Sequence, residues 1–136
     1  MKKIISIDEL QKCACFNLRL MARELTNEYN NSLKFTGINS TQIPILAILN
    51  IHDKLETPKI ARMLNLEIST MRRNLSILQK KKYIKVIKKD IHGNHLALTN
   101  QGFMKLKETL PFWRNSQKTG KRKTENYLKV LKKIIK

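Results

Sequence analysis

The chain is 136 residues long, which is enough for one domain with a hydrophobic core, or for one domain plus dimerisation helices. It carries 28 Lys and Arg against 10 Asp and Glu, so its formal net charge at pH 7 is +18. So large a positive excess favours a polyanionic partner, either nucleic acid or an anionic membrane surface. No apolar run approaches the roughly 20 residues that span a bilayer, and no signal-peptide pattern follows the basic start. We therefore expect a cytoplasmic protein.

The N-terminal third of the chain has helical periodicity. Apolar residues recur at three- and four-residue steps and predict one long helix over residues 7–33. Asn39 or Ser40 is suited to cap a second helix, "TQIPILAILNIH". This helix carries Pro44 in its first turns, where the missing N–H costs least.

Two further helices follow at short spacing. The first, "TPKIARMLNL", has Thr57 as its expected N-cap and Pro58 at its first helical position. The second is predicted over residues 68–82. Its expected inward stripe consists of Ile68, Met71, Leu75 and Leu78.

The period then changes from helix to strand. Apolar and polar residues alternate on both sides of "DIHGN", and Gly93 with Asn94 supplies turn chemistry, so residues 84–99 are predicted to form a two-stranded hairpin. Two helices are predicted to finish the chain, one over residues 100–118 and one from Arg122 onward. The fold class is therefore mostly α with a small β-hairpin.

A short helix, a tight turn, a second helix and a β-hairpin follow one another in winged helix-turn-helix order. In that fold the second helix enters the major groove of DNA. Between Glu67 and Asp90 there are eight Lys and Arg and no carboxylate. A carboxylate there would repel the phosphates of DNA. Outward positions early in the second helix carry residue types that bind base edges: Ser69, Thr70, Arg72, Arg73 and Asn74. Phosphate contacts are expected farther along, from Lys80, Lys81 and Lys82.

The chain resembles the MarR family of bacterial transcriptional regulators. The resemblance extends from "CACFNLRLMARELTNEY" through "TMRRNLSILQKKKYI" and "LALTNQG" to "LPFWRNSQ". It implies a homodimer, with residues 1–36 and 100–136 as a helical dimerisation region and residues 37–99 as the winged helix-turn-helix domain. It also implies a pseudo-palindromic operator and usually a repressor, released by a small phenolic or lipophilic ligand or by thiol oxidation.

The wing departs from the family pattern. Family wings typically carry an Asp-Arg-Arg tip whose arginine enters the minor groove, whereas this tip reads "DIHGNH" from Asp90 onward. The aspartate matches and the arginine is missing. The side chains available to replace it at the DNA backbone or minor groove are Lys88, Lys89, His92 and His95.

The N-terminal helix holds the remaining candidate residues. Cys13 and Cys15 are two residues apart, so a bond to each other is not expected, and they are either redox-active thiols or small buried residues near a dimer seam. Arg19 and Arg23 lie where the family binds ligands, and either one holds an anionic effector or forms an exposed ion pair with Glu24, Glu28 or an acid of the dimer mate. Trp113 is a candidate pocket wall or core residue.

Other function classes find little support. Three histidines without a matching Cys or carboxylate cluster predict no metal site, and no catalytic motif or cofactor loop is visible, so we expect neither an enzyme nor a cofactor. The basic segment 118–123 lacks the aromatic-flanked amphipathic face of a membrane-surface helix. Two alternatives stay open, an architectural DNA-binding protein with little sequence preference and a winged interaction module without DNA.

Overall fold

The structure is a computed structural model that describes residues 1–135. In chain order the helices are α1 (Ile7–Gln11), α2 (Ala14–Leu33), α3 (Ile43–His52), α4 (Thr57–Leu64), α5 (Ile68–Lys80) and α6 (Asn100–Ile135). A short 3-10 turn, Lys34–Thr36, follows α2. The strands are β1 (Leu55–Glu56), β2 (Ile84–Asp90) and β3 (Gly93–Leu98). The mostly helical fold with a small hairpin is therefore confirmed.

The chain divides into two compact units. The terminal unit consists of residues 1–32 together with the chain from Phe112 onward, and the winged unit consists of Leu33–Pro111. Residues 33–36 and 100–111, which we assigned to the dimerisation region from the sequence, therefore lie with the winged unit. The dimerisation role of the terminal helices stays a prediction.

The predicted single helix over residues 7–33 is wrong, because it is interrupted after Gln11. The Ser6 hydroxyl accepts the Glu9 N–H at 3.1 Å and caps α1, and α2 begins at Ala14. At the break the Asn17 side-chain amide donates to the carbonyls of Gln11 (2.7 Å) and Cys13 (2.9 Å). The Gln11 carbonyl at the end of α1 thereby gains a partner, while the Cys13 carbonyl also accepts the Asn17 backbone N–H at 3.1 Å, so the break is inexpensive.

The predicted pair of C-terminal helices is also wrong, because α6 is continuous. Gly120, which lies between the two predicted helices, is buried inside α6 in contact with Tyr29 of α2. A Cβ at this position would lie 2.6 Å from the Tyr29 hydroxyl. Glycine here permits close packing of two helices within the terminal unit and does not end a helix.

Apolar side chains of α3, α4, α5 and the sheet build the core of the winged unit. Pro44 lies in the first turn of α3, as predicted. In α4, however, the N-cap is Glu56, and Thr57 is the first helical residue, so the predicted cap is wrong by one position. The Thr57 hydroxyl instead donates to the Asn94 carbonyl at 3.2 Å, which ties the start of α4 to the hairpin.

The sheet is antiparallel with strand order β1-β3-β2. Leu96 of β3 is paired with Leu55 of β1 on one side and with Val86 of β2 on the other, and this row faces the core. A bulge at Ile87 shifts the register of β2 before the turn. The hairpin predicted over residues 84–99 is confirmed, whereas β1 was not foreseen.

The start of α6 packs directly on the end of α5. The Thr99 hydroxyl donates to the Lys82 carbonyl (2.6 Å) and accepts the Gly102 N–H (2.9 Å), as an N-cap does. Gly102 is buried, and a Cβ there would lie 1.9 Å from the Tyr83 carbonyl oxygen. Since that oxygen is a backbone atom, it cannot move aside without displacing the chain.

We expect Gly102→Ala to destabilise the protein by about 1–3 kcal/mol, the usual cost of overpacking. Without the clash, the same change inside a helix would stabilise by roughly 0.5–1 kcal/mol. Urea unfolding followed by circular dichroism measures the difference, with Gln101→Ala at the exposed neighbouring position as the control. An unchanged or raised midpoint for Gly102→Ala would contradict the close approach.

Candidate nucleic-acid interface

Burial of one stripe fixes the rotation of α5. Met71 and Leu78 are fully buried and Leu75 is 5% exposed, so the opposite side of the helix faces solvent. That side presents Ser69, Arg72 and Arg73, in agreement with the sequence-based expectation. Ile68 was expected to point inward, but it is 42% exposed at the first turn.

Asn74 does not belong to the exposed side, and the prediction that it faces outward is wrong. Its side chain is 8% exposed, and its amide donates to the Thr70 carbonyl at 3.1 Å. The position lies three residues after Met71 and next to Leu75, so helical geometry places it beside the inward stripe. Thr70 is half-buried and is a weaker candidate than the two arginines.

Ser76 is exposed on the same side as the arginines and was missed. It follows Arg72 by four residues and Arg73 by three, and this spacing places the three side chains on one face. Counting three and four residues onward from the two arginines, and not only from the apolar stripe, would have identified Ser76 from the sequence.

The lysine cluster after α5 has mixed roles. Lys80 is exposed at the helix end, but the Lys81 ammonium donates to the Gly37 carbonyl at 2.7 Å. Lys82 adopts a left-handed backbone with φ +62° and accepts the Thr99 hydroxyl at its carbonyl. Lys81 therefore closes a contact within the winged unit, in place of the free phosphate contact expected for it.

The tip of the hairpin is organised by Asp90. One carboxylate oxygen accepts the His92 N–H at 2.9 Å, and the other lies 2.7 Å from Nε2 of His95 and 3.7 Å from the Lys88 ammonium. The backbone hydrogen bond from His92, followed by the contact with His95, holds the pKa of the Asp90 carboxyl below its usual value. Asp90 thus stabilises the turn through contacts within the hairpin.

The other wing residues separate into free and engaged side chains. Lys88, Lys89 and His92 are exposed, and Ile91 at the turn is 95% exposed. The His95 side chain is 16% exposed and is held by Asp90, so we no longer count it as a free phosphate contact. No arginine replaces the one that the family pattern has at this tip.

A groove of about 340 Å³ lies between α5 and the hairpin. Arg72 and Gln79 line it from the helix, His92 and Asn94 line it from the hairpin, and Thr57 lies where α4 begins. The fold therefore brings the exposed arginine face and the wing tip to one continuous surface. Between Glu67 and Asp90 this surface carries no carboxylate.

The candidate residues of the terminal unit are mostly exposed. Cys13 and Cys15 are both exposed free thiols in the single chain, and the two alternatives for them, redox-active thiols or residues buried at a dimer seam, stay predictions. A hydrogen bond with the Cys15 thiol raises the pKa of the Arg19 guanidinium, and Arg23 is exposed. Trp113 is half-buried.

The exposed ion pairs expected within the chain for these arginines do not form in the part that the structure describes. Glu24 instead accepts the Tyr127 hydroxyl, and Glu28 pairs with Lys123. Residues 1–135 contain no group of three or more His, Cys, Asp or Glu placed to hold a metal ion. None of the helices described here combines the length and apolarity needed to cross a membrane.

Comparison with known proteins supports this interpretation at the level of structure. No protein-family model matches the chain, and no curated protein does. Among solved structures, the transcriptional regulator MosR of M. tuberculosis in complex with DNA is similar with a TM-score of 0.70 and 28% identity, over 77% of this chain and 77% of that one.

Two more distant structures share the fold. The oxidised form of MarR from E. coli is 14% identical with a TM-score of 0.66, over 98% of this chain and 97% of that one. BpsR of Bordetella bronchiseptica is 14% identical with a TM-score of 0.74, over 98% and 99%. The neighbours named by function are transcriptional regulators and not enzymes. The resemblance to the MarR family is therefore confirmed at the level of the fold, and the chain has the winged helix-turn-helix fold of MarR.

Proposed function

We propose that this protein is a dimeric transcriptional regulator that binds a specific DNA sequence. The observation that carries the proposal is the exposed face of α5 with Ser69, Arg72, Arg73 and Ser76, of which Arg72 lines the groove to the wing, in a stretch from residue 68 to 89 without carboxylates. A basic helix face alone is usually just solvated. Its position next to a hairpin, in a fold shared with a DNA-bound regulator at 28% identity, favours contact with DNA.

The side chains on this surface divide by chemistry. Arginine binds O6 and N7 of guanine with two hydrogen bonds, and serine contacts either kind of base edge, so α5 supplies sequence choice. Ammonium groups on the wing and at the end of α5 bind phosphate without reading sequence. The phosphate set consists of Lys80, Lys82, Lys88 and Lys89, with His92 at the wing tip.

Dimerisation is proposed because the terminal unit exposes much apolar surface. The exposed large apolar side chains there include Leu10, Leu18, Leu20, Leu128 and Val130. A monomer rarely leaves so much apolar surface in water. A two-fold dimer places two α5 helices about 34 Å apart over two half-sites of a pseudo-palindrome, where a bound dimer would act as a repressor.

Release from DNA is proposed to follow binding of a small phenolic or lipophilic effector, or oxidation of a thiol. MarR has been crystallised in an oxidised form, and BpsR is regulated by 6-hydroxynicotinic acid, although both share only the fold with this chain. Here Arg19, Arg23 and Trp113 are the candidates for an effector. Cys13 and Cys15 are exposed enough to meet an oxidant.

A second candidate function is an architectural DNA-binding protein. The net charge of +18 favours it, since charge alone supplies sequence-independent affinity. The two candidates differ in whether α5 discriminates among sequences.

We expect selection from a random duplex library at about 150 mM salt to enrich a pseudo-palindrome with half-sites about 10 base pairs apart. The Arg73→Ala variant should then lose about 1–3 kcal/mol on that duplex and accept other bases at one position, because a bidentate contact is gone. Fluorescence anisotropy on the selected duplex and on its single-base variants measures both effects.

Lys107→Ala is the matched control, since Lys107 is an exposed cation of the winged unit that does not line the groove beside α5. Equal losses for Arg73→Ala on selected and random DNA would contradict base reading. Together with an unenriched library, that outcome would make the architectural function the better one.

We expect peroxide to weaken DNA binding of the wild type and to leave the Cys13→Ser, Cys15→Ser double variant unchanged, because both cysteines are exposed thiols of the terminal unit. Anisotropy before and after peroxide, with recovery on adding a reductant, measures the effect. Loss of binding that persists in the double variant would show that another residue is oxidised.

A further inference from the structure

A second concave surface lies in the winged unit, distinct from the groove beside α5. It has a volume of about 250 Å³ and shares no lining residue with that groove. Its lining consists of Lys54, Leu55, Glu56, Lys59, Lys88 and His95. We call it the lysine cavity.

The sheet register explains why these residues meet. His95 of β3 is paired with Glu56 of β1 on one side and with Lys88 of β2 on the other, so the three form a row across the sheet. Leu55, Leu96 and Val86 form the adjacent row, which faces the core. Since side chains alternate along a strand, the row with His95 lies on the opposite face. Lys54 directly precedes β1, and Lys59 lies in the first turn of α4.

The charges in the lysine cavity are not balanced. Three ammonium groups face one lining carboxylate, that of Glu56. Lys88 and His95 are both near Asp90, at 3.7 Å and 2.7 Å. Within residues 1–135, Lys54 and Lys59 make no ion pair, and both are exposed. Two cations without a carboxylate partner in residues 1–135 thus line one concave surface.

We infer that the lysine cavity binds a phosphate group, and that in the regulator this is a backbone phosphate of duplex DNA. Lysine supplies compact point charges for a phosphate oxyanion, and Asp90 holds His95 in the lining of the cavity without pairing with Lys54 or Lys59. The inference rests on the proposed DNA-binding function for the source of the phosphate. A free phosphorylated molecule has the same chemistry, so the experiment separates the two sources.

A backbone phosphate in this cavity would add affinity but no sequence choice. Loss of Lys54 and Lys59 should therefore weaken binding to all duplexes alike, unlike loss of Arg73. It should also make binding less dependent on salt, because fewer counterions are released when the complex forms.

The test compares the full-length wild type with the Lys54→Ala, Lys59→Ala double variant by anisotropy, on selected and random duplexes between about 50 and 200 mM salt. The slope of log K against log salt is expected to become shallower by about one to two, equally on both duplexes. The Lys107→Ala variant should show a smaller change, because Lys107 lines neither concave surface. Lys88 is left intact since it lies near Asp90.

Pyrophosphate provides the second arm, without DNA. Backbone amide shifts of Glu56, Lys59 and His95 are followed by NMR during a titration of wild type and double variant. Saturable shifts that the variant abolishes, combined with a DNA salt slope equal to that of Lys107→Ala, would assign the cavity to a free phosphorylated molecule. A slope equal to the control and no saturable shift would overturn the inference.

The two proposals fail in distinguishable ways. If the wild type binds no duplex at all, the proposed function fails, and the pyrophosphate titration still decides whether the cavity binds phosphate. Thermal unfolding of both variants checks the fold, and because the replaced lysines are exposed, we expect melting temperatures close to that of the wild type.

Discussion

The rotation of α5 about its own axis is the constraint on which the candidate interface depends. Met71, Leu75 and Leu78 bury one stripe of the helix, and this burial leaves a single face for DNA. Burying a Leu or Met side chain stabilises by roughly 1.5–3 kcal/mol, so turning the helix by one residue would cost several kcal/mol. The direction in which Arg72 and Arg73 point is therefore set by the core and not by their own contacts.

Beyond the row of Leu96 that packs into the core, the tip of the wing is held by polar contacts. The Asp90 carboxylate accepts the His92 N–H of the turn and contacts the His95 ring, while the Thr57 hydroxyl connects α4 to the hairpin. A conformationally defined tip needs fewer contacts with DNA to be useful, because less ordering entropy is lost on binding. In this chain the aspartate that matches the family pattern organises the hairpin, while the position expected for an arginine is left to Ile91 and His92.

The sequence predicted those features that repeat over many residues. The α5 stripe and the alternating hairpin were both visible because each period recurs several times within one element. The strand β1 is two residues long and shows no period at all. Gly120 reads as a helix end in the sequence, because its close contact with Tyr29 depends on a neighbour about ninety positions away. The break after Gln11 was missed because apolar spacing continues through it.

Asn74 and Lys81 were misassigned for a related physical reason. Residue type predicts what a side chain is able to bind, whereas burial and nearby carbonyls decide what it does bind. Asn74 lies at the edge of the buried stripe and donates to Thr70, and Lys81 donates to Gly37 across 44 positions of sequence. In both cases the partner is a backbone carbonyl, a group that every residue carries and that no sequence pattern identifies.

The excess of 18 positive charges has two separable consequences once the fold is known. Cations with an internal partner, such as Lys81, Lys105 and Lys123, stabilise local structure. Added salt weakens these interactions little where the two partners are close. Cations without one, such as Lys54 and Lys59, repel their neighbours in the free protein, and an approaching phosphate relieves that repulsion. Net charge alone therefore overstates the DNA contact. The positive charges available to a polyanion are those that have no internal partner and lie together on one surface, namely those on the α5 face and in the lysine cavity.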